Sequence, residues 1–162
     1  MALNERRSYR GYYFLIAVVV FALDQASKLV IVRNVRLHET VTVIPGFFSL
    51  SHVLNPGAAF SLFGGSAYAP KLLPVFAVVV LIAIFIVLWR TGKGFTLTNL
   101  ALAFIMGGAM GNLLDRLRLG SVIDFLMFKL GSYYWPDFNV ADSAIVVGSM
   151  LLIAELFFHR EA

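Results

Sequence analysis

The sequence predicts an α-helical integral membrane protein with four transmembrane helices, a small extracytoplasmic β-sheet and an interfacial helix or loop. Of the 162 residues, 60% are hydrophobic and only 14% are charged, whereas soluble domains carry about 25% charged residues. Four apolar segments are each long enough to cross a hydrocarbon core of about 30 Å, which takes about 20 helical residues. Two of the connecting segments are too long to be bare links. We expect residues 1–162 to form a single membrane domain.

The four predicted spans differ in what interrupts them. They cover residues 12–32, 72–89, 97–114 and 140–158. The first contains Asp24 and Lys28, whereas the second has only Pro74 in its first turn, where proline is tolerated. In the third, Gly107 and Gly111 have the four-residue spacing that lets membrane helices approach closely.

The basic residues predict the orientation. With four spans, both termini lie on the same side of the membrane as the short loop at residues 90–94. The basic cluster at residues 6–10 adjoins the first helix, and the first helix usually decides the topology. We therefore expect both termini in the cytoplasm. The net charge of +4 forms no basic stripe with interleaved aromatic residues, so we expect no nucleic-acid partner.

The two long connections, at residues 34–69 and 115–139, are then extracytoplasmic and show signs of folding. In the first, Val41 and Val43 alternate with polar residues, and a second strand-like stretch follows at residues 47–54. The second connection is rich in aromatic residues, which suits a segment resting at the membrane interface. We therefore predict a small sheet from the first connection and an interfacial helix or loop from the second.

Ionisable residues inside a span are costly, and each therefore needs an explanation. Asp24 lies about 20 Å along the first span at 1.5 Å per residue, and Lys28 follows one turn later. We interpret them as a supporting ion pair, with Lys28 reaching towards the surface. Asn112 is an amide at the edge of the apolar layer and must find a partner. An alternative function follows, a small membrane transporter or ion pathway that uses Asp24, Lys28 and Asn112.

Asp124 and Asp142 are the candidate catalytic residues. Singly, Asp124 could be a surface acid, and Asp142 could help Asn139 to cap the fourth helix. Both adjoin the outer ends of neighbouring spans, so the fold could bring them together. Two close carboxyl groups cannot both ionise readily, so one takes a proton from water while the other polarises a carbonyl. This is the chemistry of aspartic peptidases.

Other chemistries fit the sequence less well. The chain has no cysteine, and its three histidines have no zinc-binding spacing, so we predict neither a metal nor another cofactor. Ser66 lacks a plausible base. Asp115 and Arg116 could mark the water boundary of the third span. A third possible function is that of a non-enzymatic assembly subunit, held to its partner through the surface around Gly107 and Gly111.

Five motifs in order resemble those of the bacterial lipoprotein signal peptidases, the type II signal peptidases. They are Asp24-Gln25-Ala26-Ser27-Lys28, Asn55-Pro56-Gly57-Ala58-Ala59-Phe60-Ser61, Gly107 to Arg116, Gly120 to Phe125, and Phe138-Asn139-Val140-Ala141-Asp142. Any one motif is weak evidence. Five in order across most of a four-span chain are specific.

The resemblance implies an aspartic endopeptidase of the bacterial cytoplasmic (inner) membrane. Such an enzyme removes the signal peptide of a diacylglyceryl-modified prolipoprotein, cutting before the lipidated cysteine. Asp124 and Asp142 match the catalytic dyad. The residues that match supporting roles in dyad positioning, stability or activity are Asn55, Asn112, Arg116, Asn139 and Asp24. The resemblance implies prolipoprotein and membrane lipid as partners and the cyclic peptide globomycin as an inhibitor. We expect a monomer.

Overall fold

Four long helices form the body of the protein in the computed structural model, which describes residues 8–57 and 68–158. The helices are α1 Arg10–Asn34, α2 Ala69–Thr91, α3 Leu97–Leu119 and α4 Val140–Phe158. Each is long and apolar enough to cross a membrane, which confirms the predicted helical fold class. Parts of the predicted basic cluster and motifs lie outside the described residues, namely Arg6, Arg7 and Ala58 to Ser61, and so does Ser66.

The third helix continues beyond the predicted edge of its span at residue 114. It ends at Leu119 because Gly120 adopts a left-handed conformation with φ 70°, and the N–H of Gly120 donates to the carbonyl of Arg116. Glycine takes this conformation without the cost of a Cβ atom and is a common helix end. The extra turn places Asp115 and Arg116 inside the helix.

Close contacts through glycine hold α3 against its neighbours. A Cβ atom at Gly107 would lie 2.6 Å from the carbonyl oxygen of Ala17 in α1, and one at Gly111 would meet the carboxylate of Asp24. On the α4 side, a Cβ atom at Gly148 would lie 2.6 Å from a carbonyl oxygen of α3. The predicted close approach is therefore present, but Gly107 and Gly111 face neighbouring helices of the same chain. The interpretation of this surface as a site for an assembly partner is wrong.

The outer faces of the helices are apolar. Large side chains such as Leu15, Phe76 and Leu156 are more than half exposed, a pattern suited to lipid as the solvent. The buried contacts are fewer, and one core cluster joins Tyr13 of α1 to Leu88 of α2 and to α3. The hydroxyl of Tyr13 also donates to a carbonyl of the α2–α3 turn at 3.1 Å.

A four-stranded antiparallel sheet lies at the end of the bundle where α1 and α3 finish, called here the sheet end. Its strands are β1 Thr40–Ile44, β2 Phe48–Asn55, β3 Val122–Leu130 and β4 Tyr133–Tyr134, in that spatial order. β1 and β2 confirm the sheet predicted from the first long connection. Phe125 of β3 packs with Ile31 and Val35 at the end of α1, which fixes the sheet to the bundle.

The second long connection differs from its prediction. We expected a separate interfacial helix or loop, but residues 122–134 supply β3 and β4 to the same sheet. The reason is that β3 is rich in β-branched and aromatic residues, which favour strands, and β2 offers it an unpaired edge. The pairing of Val53 with Asp124 and of Asn55 with Val122 places the end of β2 beside Asp124.

Candidate active site

A cavity of about 390 Å³ opens at the sheet end between β3, α3 and the start of α4. Its polar lining residues are Asn55, Asn112, Arg116, Asp124, Asp137, Asp142 and Ser143, and its apolar ones are Val122, Trp135, Pro136, Phe138, Val146 and Val147. The structure thus brings together Asp124 and Asp142, which lie 18 positions apart in the sequence. Three of the predicted supporting residues line the same cavity.

Asp124 belongs to the polar lining of the cavity and is only 2% exposed. The side-chain amide of Asn55 donates to its Oδ2 at 2.9 Å, and that of Asn139 donates to its Oδ1 at 2.7 Å. Burial raises the pKa of Asp124 to about 7, and the negative charge of Asp142 acts in the same direction, while the hydrogen bonds from Asn55 and Asn139 lower it. Asp124 is therefore able to hold a proton near neutral pH.

Asp142 belongs to the first turn of α4 and forms a reciprocal cap with Asn139. The backbone N–H of Asp142 donates to Asn139 Oδ1 at 2.9 Å, and the backbone N–H of Asn139 donates to Asp142 Oδ2 at 3.2 Å. This is the geometry of a capping box. The helix cap that the sequence suggested as an alternative role is present, and Asp142 lines the cavity as well. Asn112 Nδ2 donates to its other oxygen at 2.8 Å.

Asn139 connects the two aspartates. Its side-chain amide nitrogen contacts Asp124, while its backbone and side-chain oxygen bind Asp142. The same amide nitrogen lies 3.2 Å from Asn112 Oδ1 and from the carbonyl of Ile123. Asn139 is completely buried, so these partners replace water. One residue, through its side-chain amide and its backbone N–H, therefore binds both carboxyl groups.

A buried ion cluster lies behind the cavity, between α1 and α3. Lys28 Nζ lies 2.9 Å from Asp24 Oδ2 and 2.7 Å from Asp115 Oδ2, and it donates to Asn112 Oδ1 at 3.1 Å. The predicted ion pair of Asp24 with Lys28 is present. Lys28 does not reach the surface as expected, because two carboxylates hold it inside and leave it only 2% exposed.

Asp24 holds the first turn of α4 from behind rather than lining the cavity. Its Oδ1 accepts the backbone N–H of Ala141 at 2.9 Å, next to Asp142. Gln25 donates to Asp24 at 3.0 Å and to Asp115 at 3.1 Å. Asp24 thus supports the site through the backbone of α4.

Asp115 is not the water-boundary residue that the sequence suggested. It is 3% exposed, pairs with Lys28, and accepts the backbone N–H of Ile123 at 3.2 Å. The extra turn of α3 carries it inside the protein. A signal for this existed in the sequence, since Asn112, Asp115 and Arg116 are spaced to share one face of a helix.

Arg116 joins α3 to the turn that follows β2. Its Nη2 donates to the carbonyl of Gly57 at 2.8 Å, and the N–H of Gly57 donates to Asn55 Oδ1 at 2.9 Å. The Nε nitrogen of the same guanidinium group is buried and has no hydrogen-bond partner among residues 8–57 and 68–158. Arg116 and Asn55 are thus positioned together at the cavity wall.

Asp137 is a cavity residue that the sequence analysis missed. Ser51 Oγ of β2 donates to its Oδ2 at 2.8 Å. Burial raises the pKa of Asp137, while the hydrogen bond from Ser51 partly offsets this effect. No motif points to it, because an acid two positions before a helix cap is ordinary in a loop.

Comparisons with known proteins agree on one family. The sequence profile of the family described as Signal peptidase (SPase) II matches residues 16–158. A lipoprotein signal peptidase of Desulforapulum autotrophicum is 44% identical over 90% of this chain and 91% of its own. Those of Syntrophotalea carbinolica and Listeria monocytogenes are 43% and 40% identical, over 87% and 90% of this chain and 88% and 93% of their own.

Solved structures share the same architecture. A bacterial membrane enzyme determined by the in meso method at 2.3 Å resolution matches with a TM-score of 0.84 and 28% identity, over 96% of this chain and 93% of that chain. A second, at 1.9 Å resolution, matches with a TM-score of 0.82, over 95% of this chain and 97% of that chain. With four helices, a cavity at the sheet end and this extent of similarity, the chain belongs to the signal peptidase II family.

Proposed function

We propose that the protein is a membrane aspartic endopeptidase that removes signal peptides from diacylglyceryl-modified prolipoproteins, cutting before the lipidated cysteine. The observation that carries the proposal is that Asp124 and Asp142 line one cavity and share Asn139 as a hydrogen-bond partner. Membership of a signal peptidase family supports the peptidase activity. The names of the relatives, lipoprotein signal peptidases, support the substrate class.

In the proposed reaction the two carboxyl groups hold one proton between them. Their titrations are coupled, so this proton belongs to the pair. The ionised member takes a proton from water as the water oxygen attacks the carbonyl carbon of the scissile bond, and the protonated member donates to the carbonyl oxygen. The tetrahedral intermediate then collapses with cleavage of the C–N bond. The aspartate that took the water proton passes it to the leaving nitrogen, and the other aspartate recovers a proton from a hydroxyl group of the intermediate. The products are a carboxylic acid and an amine, and the pair again holds one proton.

The walls of the cavity suit such a substrate. Arg116 lines the cavity, which places a permanent positive charge where it can interact with a substrate carbonyl. On the other side, Val146 and Val147 of α4 line the cavity and are also about half exposed at the lipid-facing surface. A substrate anchored in lipid can therefore reach the dyad along an apolar wall while its peptide bond meets the polar groups.

The same proposal includes the location and the partners of the enzyme. The sheet end faces the extracytoplasmic side of the bacterial inner membrane, both termini are cytoplasmic, and residues 1–162 act as one domain and as a monomer. Membrane lipid surrounds the helices. Globomycin binds in the cavity and competes with the substrate.

Cleavage by the purified protein tests the proposal. In detergent and without added metal, the protein should cleave a diacylglyceryl-modified prolipoprotein, and globomycin should inhibit it. Asp124→Asn and Asp142→Asn should each abolish cleavage while retaining a folded protein. Glu39→Gln is the matched control, because Glu39 is an exposed carboxylate outside the cavity. Cleavage that persists in both aspartate variants, or loss on chelation that zinc reverses, would reject the dyad.

The transporter alternative has less support. Lys28 bonds to both Asp24 and Asn112 in a single buried cluster, whereas a relay needs groups distributed across the membrane. Membership of a peptidase family also favours cleavage over transport. We therefore propose no second function.

A further inference from the structure

The cavity contains a third carboxyl group that the proposed reaction does not use. A two-aspartate mechanism needs Asp124 and Asp142 only, yet Asp137 lines the same space. Carboxylates are costly to bury, and Asp137 is partly buried. Its presence beside the dyad therefore requires a separate explanation.

Asp137 is held in place rather than loosely attached. Ser51 Oγ donates to its Oδ2 at 2.8 Å, and Ser51 is itself 1% exposed in the middle of β2. This bond occupies one carboxylate oxygen and leaves further acceptor capacity on the group. The flanking residues Pro136 and Phe138 also line the cavity. The carboxylate thus forms a fixed acceptor site in the cavity wall.

The position of Asp137 indicates which part of a substrate it meets. Val146 and Val147 lie along α4 and form the lipid-facing wall, whereas Asp137 bonds to the sheet. An apolar signal segment before the cleaved bond would follow the lipid-facing wall. The residues after the lipid-modified cysteine lead away towards water and would pass the sheet side. Asp137 is therefore placed for the region that follows the cysteine.

We propose that Asp137 is a specificity residue that favours substrates with a cationic side chain at one of the two positions after the lipid-modified cysteine, and disfavours an acidic one there. This inference rests on the proposed function. A fixed and partly desolvated carboxylate attracts a cation more strongly than an exposed one does and repels a like charge. Discrimination of this kind comes from attraction of the favoured charge together with repulsion of the disfavoured one.

The test compares lipopeptides that differ only in one charge. Two substrate pairs carry lysine or glutamate at the first or the second position after the modified cysteine, and the measured quantity is the lysine-to-glutamate ratio of kcat/KM. In the wild type we expect the ratio to exceed one at the position that meets Asp137. Asp137→Asn keeps an oxygen that can accept from Ser51 but removes the charge. It should lower that ratio about tenfold. This effect is larger than that of a typical exposed ion pair and smaller than that of a strong hydrogen bond to a charged group.

Control variants separate selection from structural support. Glu39→Gln removes an exposed carboxylate away from the cavity and should leave the ratio as in the wild type. Asp137→Glu keeps the charge and should retain most of the discrimination. If Asp137→Asn slows both members of each pair equally, its role is structural and the inference is overturned.

Binding separates this inference from the proposed function. If the wild type binds the lipopeptides but cleaves none, the peptidase proposal fails. The ratio of dissociation constants for the same pairs then tests Asp137 independently of chemistry. An equal ratio in the wild type and Asp137→Asn would overturn the inference even where cleavage is robust.

Discussion

Single side chains connect the interior of the membrane domain to the cavity. Lys28 donates a hydrogen bond to Asn112, and Asn112 in turn donates one to Asp142. A chain of two bonds therefore links a buried cation to a carboxyl group of the proposed dyad. The orientation of the Asn112 amide follows from it, since Lys28 can only donate and so faces the amide oxygen.

Replacing Lys28 with methionine should destabilise the protein. The change leaves Asp24 and Asp115 buried without their cation, and removing one partner of a buried ion pair costs about 3–5 kcal/mol. We expect a loss of this size in the free energy of unfolding, measured by chemical denaturation in detergent. Lys71→Met is the control, because Lys71 is exposed at the start of α2. Equal stability of the two variants would show that the cluster contributes little.

The raised pKa of Asp124 predicts a pH dependence of stability. Burial raises this pKa from 3.8 to about 7, so between these values the folded state binds more protons than the unfolded state. The free energy of unfolding should therefore fall as the pH rises from about 4 to 7, by up to about 4 kcal/mol, and then level off. Denaturation across this range should show a steeper fall for the wild type than for Asp124→Asn. Parallel curves would contradict the prediction.

At the residue level, the sequence indicated which residues the fold brings together only where a motif or a helical spacing existed. Asp124, Asp142 and the pair of Asp24 with Lys28 were identifiable because acids at span ends or inside spans are unusual. Asp115 was misjudged because the end of α3 could not be located to within a turn. Asp137 was missed because its partner Ser51 lies on a strand 86 positions away, and only the folded sheet brings them together.

Among the elements, α4 depends most closely on its packing against α3. Ile145 and Ala141 of α4 lie against Gly108, where a Cβ atom would be 2.9 Å from Ile145 Cγ1 and would also meet the Ala141 carbonyl. Ala141 precedes Asp142 in the first turn of the helix. Any displacement of this contact is therefore transmitted to the dyad.

We expect Gly108→Ala to impair activity more than it impairs folding. The added methyl group must push the first turn of α4 away from α3, and a displacement of about 1 Å can reduce a rate about 100-fold. Lipoprotein cleavage by the detergent-purified variant, with thermal unfolding alongside, measures both effects. Gly11→Ala is the matched control, because nothing lies within 4 Å of a Cβ atom there. Wild-type kcat in Gly108→Ala would contradict the prediction.

The elements themselves were predicted with different success. The four helices followed from the length of the apolar segments, and β1 and β2 followed from alternation beside a turn. β3 was not predicted because both of its faces carry apolar residues, so its pattern also suits a segment lying on lipid. Its partner β2 lies in a different connection, and the chain provides no local signal for that pairing.

At the scale of the whole molecule, the proposed orientation can be tested with single cysteines. The chain has none of its own, so each introduced thiol reports one position. Thr42→Cys on the exposed strand β1 should react with a membrane-impermeant maleimide in cells whose envelope outside the inner membrane has been permeabilised. Lys93→Cys in the α2–α3 turn should react only after the inner membrane is disrupted. The reverse pattern would place the sheet end in the cytoplasm.

Composition predicted the class of the molecule but neither its orientation nor the depth of its charged residues in the membrane. The number of helices follows from hydropathy, since lipid requires satisfied backbone groups in every span. The division of basic residues between the two sides is close to even, so charge alone supports the orientation weakly. The buried cluster of Lys28 with two carboxylates is a tertiary property, because it needs α1 and α3 at contact distance.

The dual use of Asp142 affects how genetic screens of this protein should be interpreted. An alanine allele at position 142 removes one of the two hydrogen bonds of the reciprocal cap together with a proposed catalytic group, so cells would contain less of the protein and would also lack its turnover. An asparagine allele keeps an oxygen for the N–H of Asn139 and would abolish turnover while abundance is maintained. Immunoblots run beside processing assays would therefore separate the two alleles, which a survival count alone would score as identical.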